Sequence, residues 1–331
     1  MQKRNVSLDF YKGIAALGVI FVHIQFPGVF GNIMCSVGTC GVIFFFLISG
    51  YFAYGSGQEM CAKFIVRFKR NLRLLLIAAA AYFAVTAVQQ LIHGTFESWI
   101  SKFTDPVLYI RMIFLGDFEV IHGDPLWFMP ALLYSYLVFW LIYRYGLQKL
   151  SYAAVPFFLL LRIGMETYTN TSGADWHLSG NAVVGALPIM LLGHYLAHIR
   201  DRLSRISDKA VIASCILSAA GMFLFVNVKA GSVDISQPFK IWCAASVFLW
   251  AIRKPSLSVS RPIETIGARW SLYVYLCHYP VIVILKDVCE WTEAPVWFIS
   301  WCLPVIVAAL SVAVAMLISM IADRPKAGAA K

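Results

Sequence analysis

The chain has 331 residues, of which 60% are hydrophobic and 13% charged, with mean hydropathy +0.75 and formal net charge +10. Soluble domains are about 45–50% apolar and about 25% charged, so this composition excludes a soluble enzyme, a disordered chain and a fibrous protein. The apolar residues come in long continuous runs rather than alternating segments of about ten, which also speaks against a transmembrane β-barrel. What remains is an all-α, polytopic integral membrane protein.

A spanning helix needs about 20 mostly apolar residues. Ten segments qualify: 11–30, 39–56, 72–92, 126–145, 150–165, 181–199, 210–228, 238–252, 264–285 and 297–321. The first follows Lys3, Arg4 and Lys12, is apolar for longer than a signal-peptide core and precedes no small-residue cleavage site, so it reads as a retained helix. Ten spans put both termini on one side. With that side in the cytoplasm, 21 of the 27 Lys and Arg fall inside, as the positive-inside rule requires. The +10 charge is therefore mostly orientation, and no nucleic-acid partner is expected. Two segments outside the spans stand out. Residues 59–73 carry Lys63, Arg67, Lys69, Arg70 and Arg73 on the cytoplasmic side, and residues 93–125 form a long external loop with Glu97, Asp105, Asp117, Glu119 and Asp124.

The eight cysteines contain no CxxC pair and mostly lie in apolar runs, where they read as small buried residues. Cys35 and Cys40 share one short loop and are close enough in sequence to pair. No linker, repeat or appended soluble domain interrupts the chain, so residues 1–331 read as a single membrane domain.

The first helix is the most informative segment. Lys12 and His23 are eleven positions apart, and eleven steps of about 100° return to nearly the same helix face about 16 Å further on. With Lys12 at the cytoplasmic interface, His23 falls near the middle of a hydrocarbon core about 30 Å thick. An ionisable residue there is costly and points to function, unless it is a neutral histidine hydrogen-bonded to a neighbouring helix. In the basic segment, Lys63, Arg67 and Arg70 share a helical face while Lys69 and Arg73 form a second row. These cations suit a phosphate-bearing ligand or, equally, anionic lipid headgroups, with Phe64, Phe68 and Leu72 dipping into the membrane. Late in the chain, Ser271, Tyr275 and His278 stand at i, i+4, i+7, a polar stripe that reads as one wall of a site or as a seam between helices. Arg162 lies inside a span and needs a partner, with Glu166 one turn away. His194 and His198 have metal-ligand spacing, but HYLAH lacks the glutamate of HExxH and a third ligand, so no metal is expected.

The Lys-x10-His helix resembles the opening motif of the acyltransferase 3 family, membrane-bound acyl-CoA-dependent O-acyltransferases. The stretch GTCGVIFFFLISGYF (Gly38 to Phe52) is similar to the family's G-x-x-G-V-x-x-F-F-x-x-S-G-[FY] pattern, RFKR (Arg67 to Arg70) to its R-x-x-R motif, SLYVYLCHYP (Ser271 to Pro280) to its S-L-x-x-Y-x-x-H-x-P element, and PLWF (Pro125 to Phe128) to its external motif. The resemblance spans the whole chain. It implies a multi-pass protein of the bacterial plasma (inner) membrane that moves an acyl group, acetyl above all, from cytoplasmic acyl-CoA to a hydroxyl of a cell-surface or lipid-linked glycan. It implies His23 and His278 as catalytic, Lys12, Arg67, Arg70 and Arg73 as donor contacts, and Ser49, Tyr51, Trp127, Ser271 and Tyr275 as substrate contacts. The partners it implies are acyl-CoA, a glycan or glycolipid acceptor and membrane lipids. Many members follow the external motif with a glutamate, where this chain has Pro130 and Ala131. That departure bears on the acceptor and leaves a small-solute transporter, such as one for L-serine, as the alternative.

Overall fold

The computed structural model describes residues 4–226, 229–230, 233–234 and 236–322. Each of the ten apolar segments meets a helix. In chain order α1 is Val6–His23, α2 Gly28–Tyr51 and α3 Gly57–Ile92, followed by the short α4 Phe96–Ser101 and α5 Pro106–Phe114. A 3-10 turn, Asp124–Trp127, leads into α6 Phe128–Arg144, and α7 is Gln148–Ser172. A π-helical turn, Ala182–Ala186, opens α8 Leu187–His198, with α9 Arg200–Leu203 and α10 Asp208–Phe225 next. After α11 Ser236–Arg253, α12 Arg261–Thr265, a π-helical turn Ile266–Trp270 and α13 Ser271–Trp291 run on as one helix, and the last, α14, is Leu303–Ala322. Lys229–Ala230 and Val233–Asp234 pair antiparallel, Lys229 opposite Asp234.

Among the described residues, eight helices are long and apolar enough to cross a membrane: α1, α2, α3, Asp124–Arg144, α7, α10, Arg261–Trp291 and Phe298–Ala322. Ala182–His198 is apolar but shorter. The chain is a multi-pass helical membrane protein. The basic tail residues Arg324, Lys326 and Lys331, and Lys3 at the other end, lie outside the described residues.

Three expectations are corrected. The first span ends at His23 instead of 30, so His23 closes α1. Pro27 is the cause: its ring would clash with the His23 carbonyl four residues back, and it pushes the residue before it out of the helical region. The chain is already extended at Ile24, and Gly28, at φ +63°, starts α2 well before the expected position 39. The basic segment 59–73 is part of α3, whose 36 residues make a rod about 54 Å long, far more than the hydrocarbon core is thick. Phe64 packs inward against Tyr136, Phe139 and Tyr143, so it is a core residue and not a membrane anchor. Cys35 and Cys40 both lie on α2, five residues and hence about 140° apart, which places them on different faces of a helix and not in a shared loop.

The chain packs as two compact units, one made of its two ends (up to Gly41 and from Ala251) and the other of residues 42–250. In the first, α1 starts from a tethered cap: the Asn5 side chain accepts from the Leu8 N–H and donates to the Ala251 carbonyl, while the Val6 N–H donates to Pro255 O at 2.8 Å. Small residues then let α1 approach its neighbours at backbone distance. A Cβ on Gly38 would overlap the Gly18 carbonyl, one on Gly13 the Ile263 carbonyl, and one on Gly267 the Asp9 carbonyl. In the second unit, Gly50 and Gly193 set the same close contact between α2 and α8. Gly38→Val should therefore lower the Tm of the detergent-purified protein measurably, overpacking costing about 1–3 kcal/mol. Gly57→Ala, where a Cβ meets nothing, should leave Tm unchanged.

Candidate functional site

Tight packing of α1 against the Arg261–Trp291 helix brings two histidines from opposite ends of the chain together. The His23 and His278 ring centroids are 5.3 Å apart, and His23 stands edge-on to Tyr279 at 5.2 Å. His278 is fully buried. Its Nδ1 lies 2.7 Å from the Tyr275 carbonyl oxygen and 3.3 Å from that of Val274, so this nitrogen carries the proton and donates. The lone pair is thereby assigned to Nε2, which is buried without a hydrogen-bond partner. Tyr275 is buried beside it, ring centroids 5.8 Å apart. Ser271 instead turns back onto its own helix, its hydroxyl donating to Gly267 O at 3.0 Å. A part-buried imidazole on one helix facing a fixed, oriented imidazole on another can accept a proton and hand it on.

Lys12 does not reach out as a free cation. Its ammonium pairs with Asp9 at 2.8 Å, and the other oxygen of the same carboxylate takes Arg4 at 2.6 Å. Asp9 is itself buried, and the sequence reading missed it because an acid in the first turn of a helix looks like ordinary capping.

The remaining expected residues lie in the other unit. Arg67 is half-buried and held at two points, donating to the Phe52 carbonyl at 3.0 Å and standing 5.9 Å from the centroid of the Tyr136 ring. Arg70 and Arg73 are exposed, and Lys63 pairs with Glu59. The Ser49 hydroxyl donates to Phe45 O within α2, and Tyr51 stacks edge-on against Phe248 at 5.1 Å. Trp127 packs between Phe46 and Trp176. Arg162 finds its main partner in the Gly185 carbonyl, exposed by the π-helical turn before α8, with Glu166 more distant at 3.9 Å. His194 bonds the Tyr143 hydroxyl at 2.9 Å, and His198 stacks on Tyr152 at 4.4 Å. Both histidines thus sit among aromatic rings, and His194 Nδ1 is buried without a hydrogen-bond partner.

Asp117, one of the acids of the long external loop, belongs to a polar cluster outside the spans whose other members no sequence motif joins to it. Arg111 on α5 bonds Asp117 at 2.7 Å and Asp175 at 2.6 Å, and the His177 ring donates from Nδ1 to the second oxygen of Asp175 at 2.7 Å. Burial works to raise the Asp175 carboxyl, but the His177 N–H and ring together with Arg111 outweigh it and hold it at about 2. The bonds to Asp175 and then Asp117 push the Arg111 guanidinium higher still, against a smaller opposing effect of burial. No local spacing announces this cluster, because its halves are some sixty residues apart.

A bundle of apolar helices, one pair of which brings two histidines together, defines a multi-pass membrane protein. The chain belongs to the acyltransferase 3 family: that family's acyltransferase domain matches residues 5–320, essentially the full length. It is a membrane acyltransferase. No curated protein and no solved structure matches the chain.

The Asp9 arrangement makes a comparison. Asp9→Asn strips two cations of their shared partner, whereas Lys12→Gln leaves Asp9 still paired to Arg4. Asp9→Asn should destabilise by about 1–3 kcal/mol and Lys12→Gln by clearly less, read as Tm of the purified proteins.

Proposed function

We propose that this acyltransferase moves an acetyl group from cytoplasmic acetyl-CoA to a hydroxyl of a cell-surface or lipid-linked glycan, and that His23 is its general base. The observation that carries this reading is the His23–His278 contact in a chain of this family. The acceptor O–H gives its proton to His23 as its oxygen attacks the thioester carbonyl. The C–S bond then breaks, and the departing thiolate takes the proton back from the imidazolium, so acetyl-CoA and alcohol become ester and free thiol. His278, anchored by Nδ1 on a backbone carbonyl, orients His23 and faces the acceptor with Tyr275, while Ser271, bonded to its own helix, shapes that wall from behind.

The donor's phosphates fall to the cations of α3, Arg67 and Arg70 foremost, with Arg73 adding positive potential; Lys12, held by Asp9, is a donor contact in this reading through its place in the family's opening motif alone. Arginine suits the task because its planar fork binds phosphate oxygens two at a time. Ser49, Tyr51 and Trp127 belong to the acceptor's surroundings in this reading. The whole chain works as one acyltransferase domain, crossing the bacterial inner membrane ten times with both termini in the cytoplasm. The lopsided Lys/Arg count supports this orientation.

Two experiments test this. His23→Ala should lower acetylation of the host's envelope glycan by at least about 10²-fold while the protein remains in the membrane, since positioned acid–base groups contribute about 10²–10⁴-fold. Undiminished acetylation would remove His23 from the chemistry. Acetyl-CoA should raise the Tm of the purified protein, and Arg67→Gln with Arg70→Gln should abolish that rise. Persistence of the rise in the double variant would place the donor elsewhere.

A further inference from the structure

The polar cluster between α5 and the loop after α7 contains an arrangement that its ion pairs leave unfinished. His177 is almost wholly buried, and its Nδ1–H is committed to Asp175. Its other ring nitrogen, Nε2, is buried and has no hydrogen-bond partner. It points at two carboxylates: Asp117 Oδ1 at 3.6 Å and Glu119 Oε1 at 4.0 Å, both too long for hydrogen bonds. All three atoms lie within 4.8 Å of one another. Two ligands about 2.1 Å from a tetrahedral zinc ion sit about 3.4 Å apart, so the triad is spaced slightly wider than a loaded site. Glu119, whose side chain is half exposed and tethered only by the Trp176 indole N–H, can close that gap by a small side-chain shift.

Charge and orientation agree with the spacing. Asp117, Asp175 and Glu119 bring three negative charges, and Arg111 answers one, through the outer oxygens of Asp117 and Asp175. The excess of two is what a divalent ion would balance, and the cost of leaving a carboxylate buried falls on Asp117, the buried one of the three. The Asp175–His177 bond is the arrangement that fixes a metal-binding imidazole: a carboxylate holds Nδ1–H and leaves Nε2 as the ligand. Trp176 covers the ring at 3.9 Å, and its indole N–H donates to Glu119 Oε1.

We propose that Asp117, Glu119 and His177 bind a divalent transition-metal ion, with Asp175 orienting His177. One imidazole and two carboxylates suit zinc, which also outcompetes manganese and iron(II) at a site of this kind. The ion ties the turn after α5 to the loop after α7. This departs from the expectation of a chain without metal, which considered only the HYLAH spacing. It does not depend on the acyl-transfer reading, because it is tested by metal content.

The test uses the full-length, tag-free protein in detergent, stripped with chelator, equilibrated with buffered zinc and analysed for bound metal. The expected result is one tightly held zinc per chain and a higher Tm with zinc than without. Glu119→Gln should weaken zinc at least 10-fold, His177→Gln should abolish retention, and Asp175→Asn should cost about 10–100-fold in affinity, as loss of an orienting carboxylate does. Glu97→Gln, a change at an exposed acid on α4, should change nothing. Should His177→Gln fail to fold, Glu119→Gln decides alone, since its half-exposed, isosteric change leaves the packing intact. No zinc retained by the wild type, or equal retention by wild type and Glu119→Gln, would overturn the assignment.

Discussion

How closely α1 can approach its neighbours governs the unit built from the two chain ends. Helices surrounded by hydrocarbon gain little from hiding apolar surface from one another, so they associate through close packing and polar contacts. Gly13, Gly18, Gly38 and Gly267 remove the side chains that would keep the backbones apart. Only at that distance does a histidine at the end of α1 meet one in α13. A site assembled in this way is rigid for the same reason that it exists. Any side chain added at these four positions would move the helix that carries His23.

The polar groups obey a second rule of the same medium. Several buried charges find a partner at short range: Asp9 in Arg4 and Lys12, Arg162 in a carbonyl that a π-helical turn exposes, and Asp117 in Arg111. The π turns are informative here, because they free backbone groups that a regular helix would keep to itself. Against this background, imidazole nitrogens buried without partners are conspicuous. Besides His194 Nδ1, which lies among aromatic rings, His278 Nε2 and His177 Nε2 are of this kind. The former is set beside a second histidine, the latter beside two carboxylates, which is why one reads as proton chemistry and the other as metal ligation.

Much of this was legible in the sequence, for reasons that also explain what was not. Long apolar runs mark each main helix because the solvent demands them. Hydropathy cannot see Pro27, since the turn around it is itself apolar, and so the first span was drawn past His23. It likewise stops at the charges of 59–73, although α3 does not, because helix formation tolerates Lys and Arg as well as Leu. His23 and His278 stood out as costly residues in apolar helices and are indeed neighbours. Asp9 and His177 did not stand out, and Asp117 and Glu119 did so only as acids of a long loop, because their meaning lies in partners that only the fold supplies.

The central claim is that His23 performs the proton transfer of acyl transfer. The most direct measurement follows release of free CoA thiol from acetyl-CoA by the purified protein in nanodiscs with host glycan as acceptor, comparing wild type with His23→Gln and His278→Gln. The account predicts release that His23→Gln abolishes at every pH, and that His278→Gln reduces less. Release by His23→Gln at the wild-type rate would contradict it.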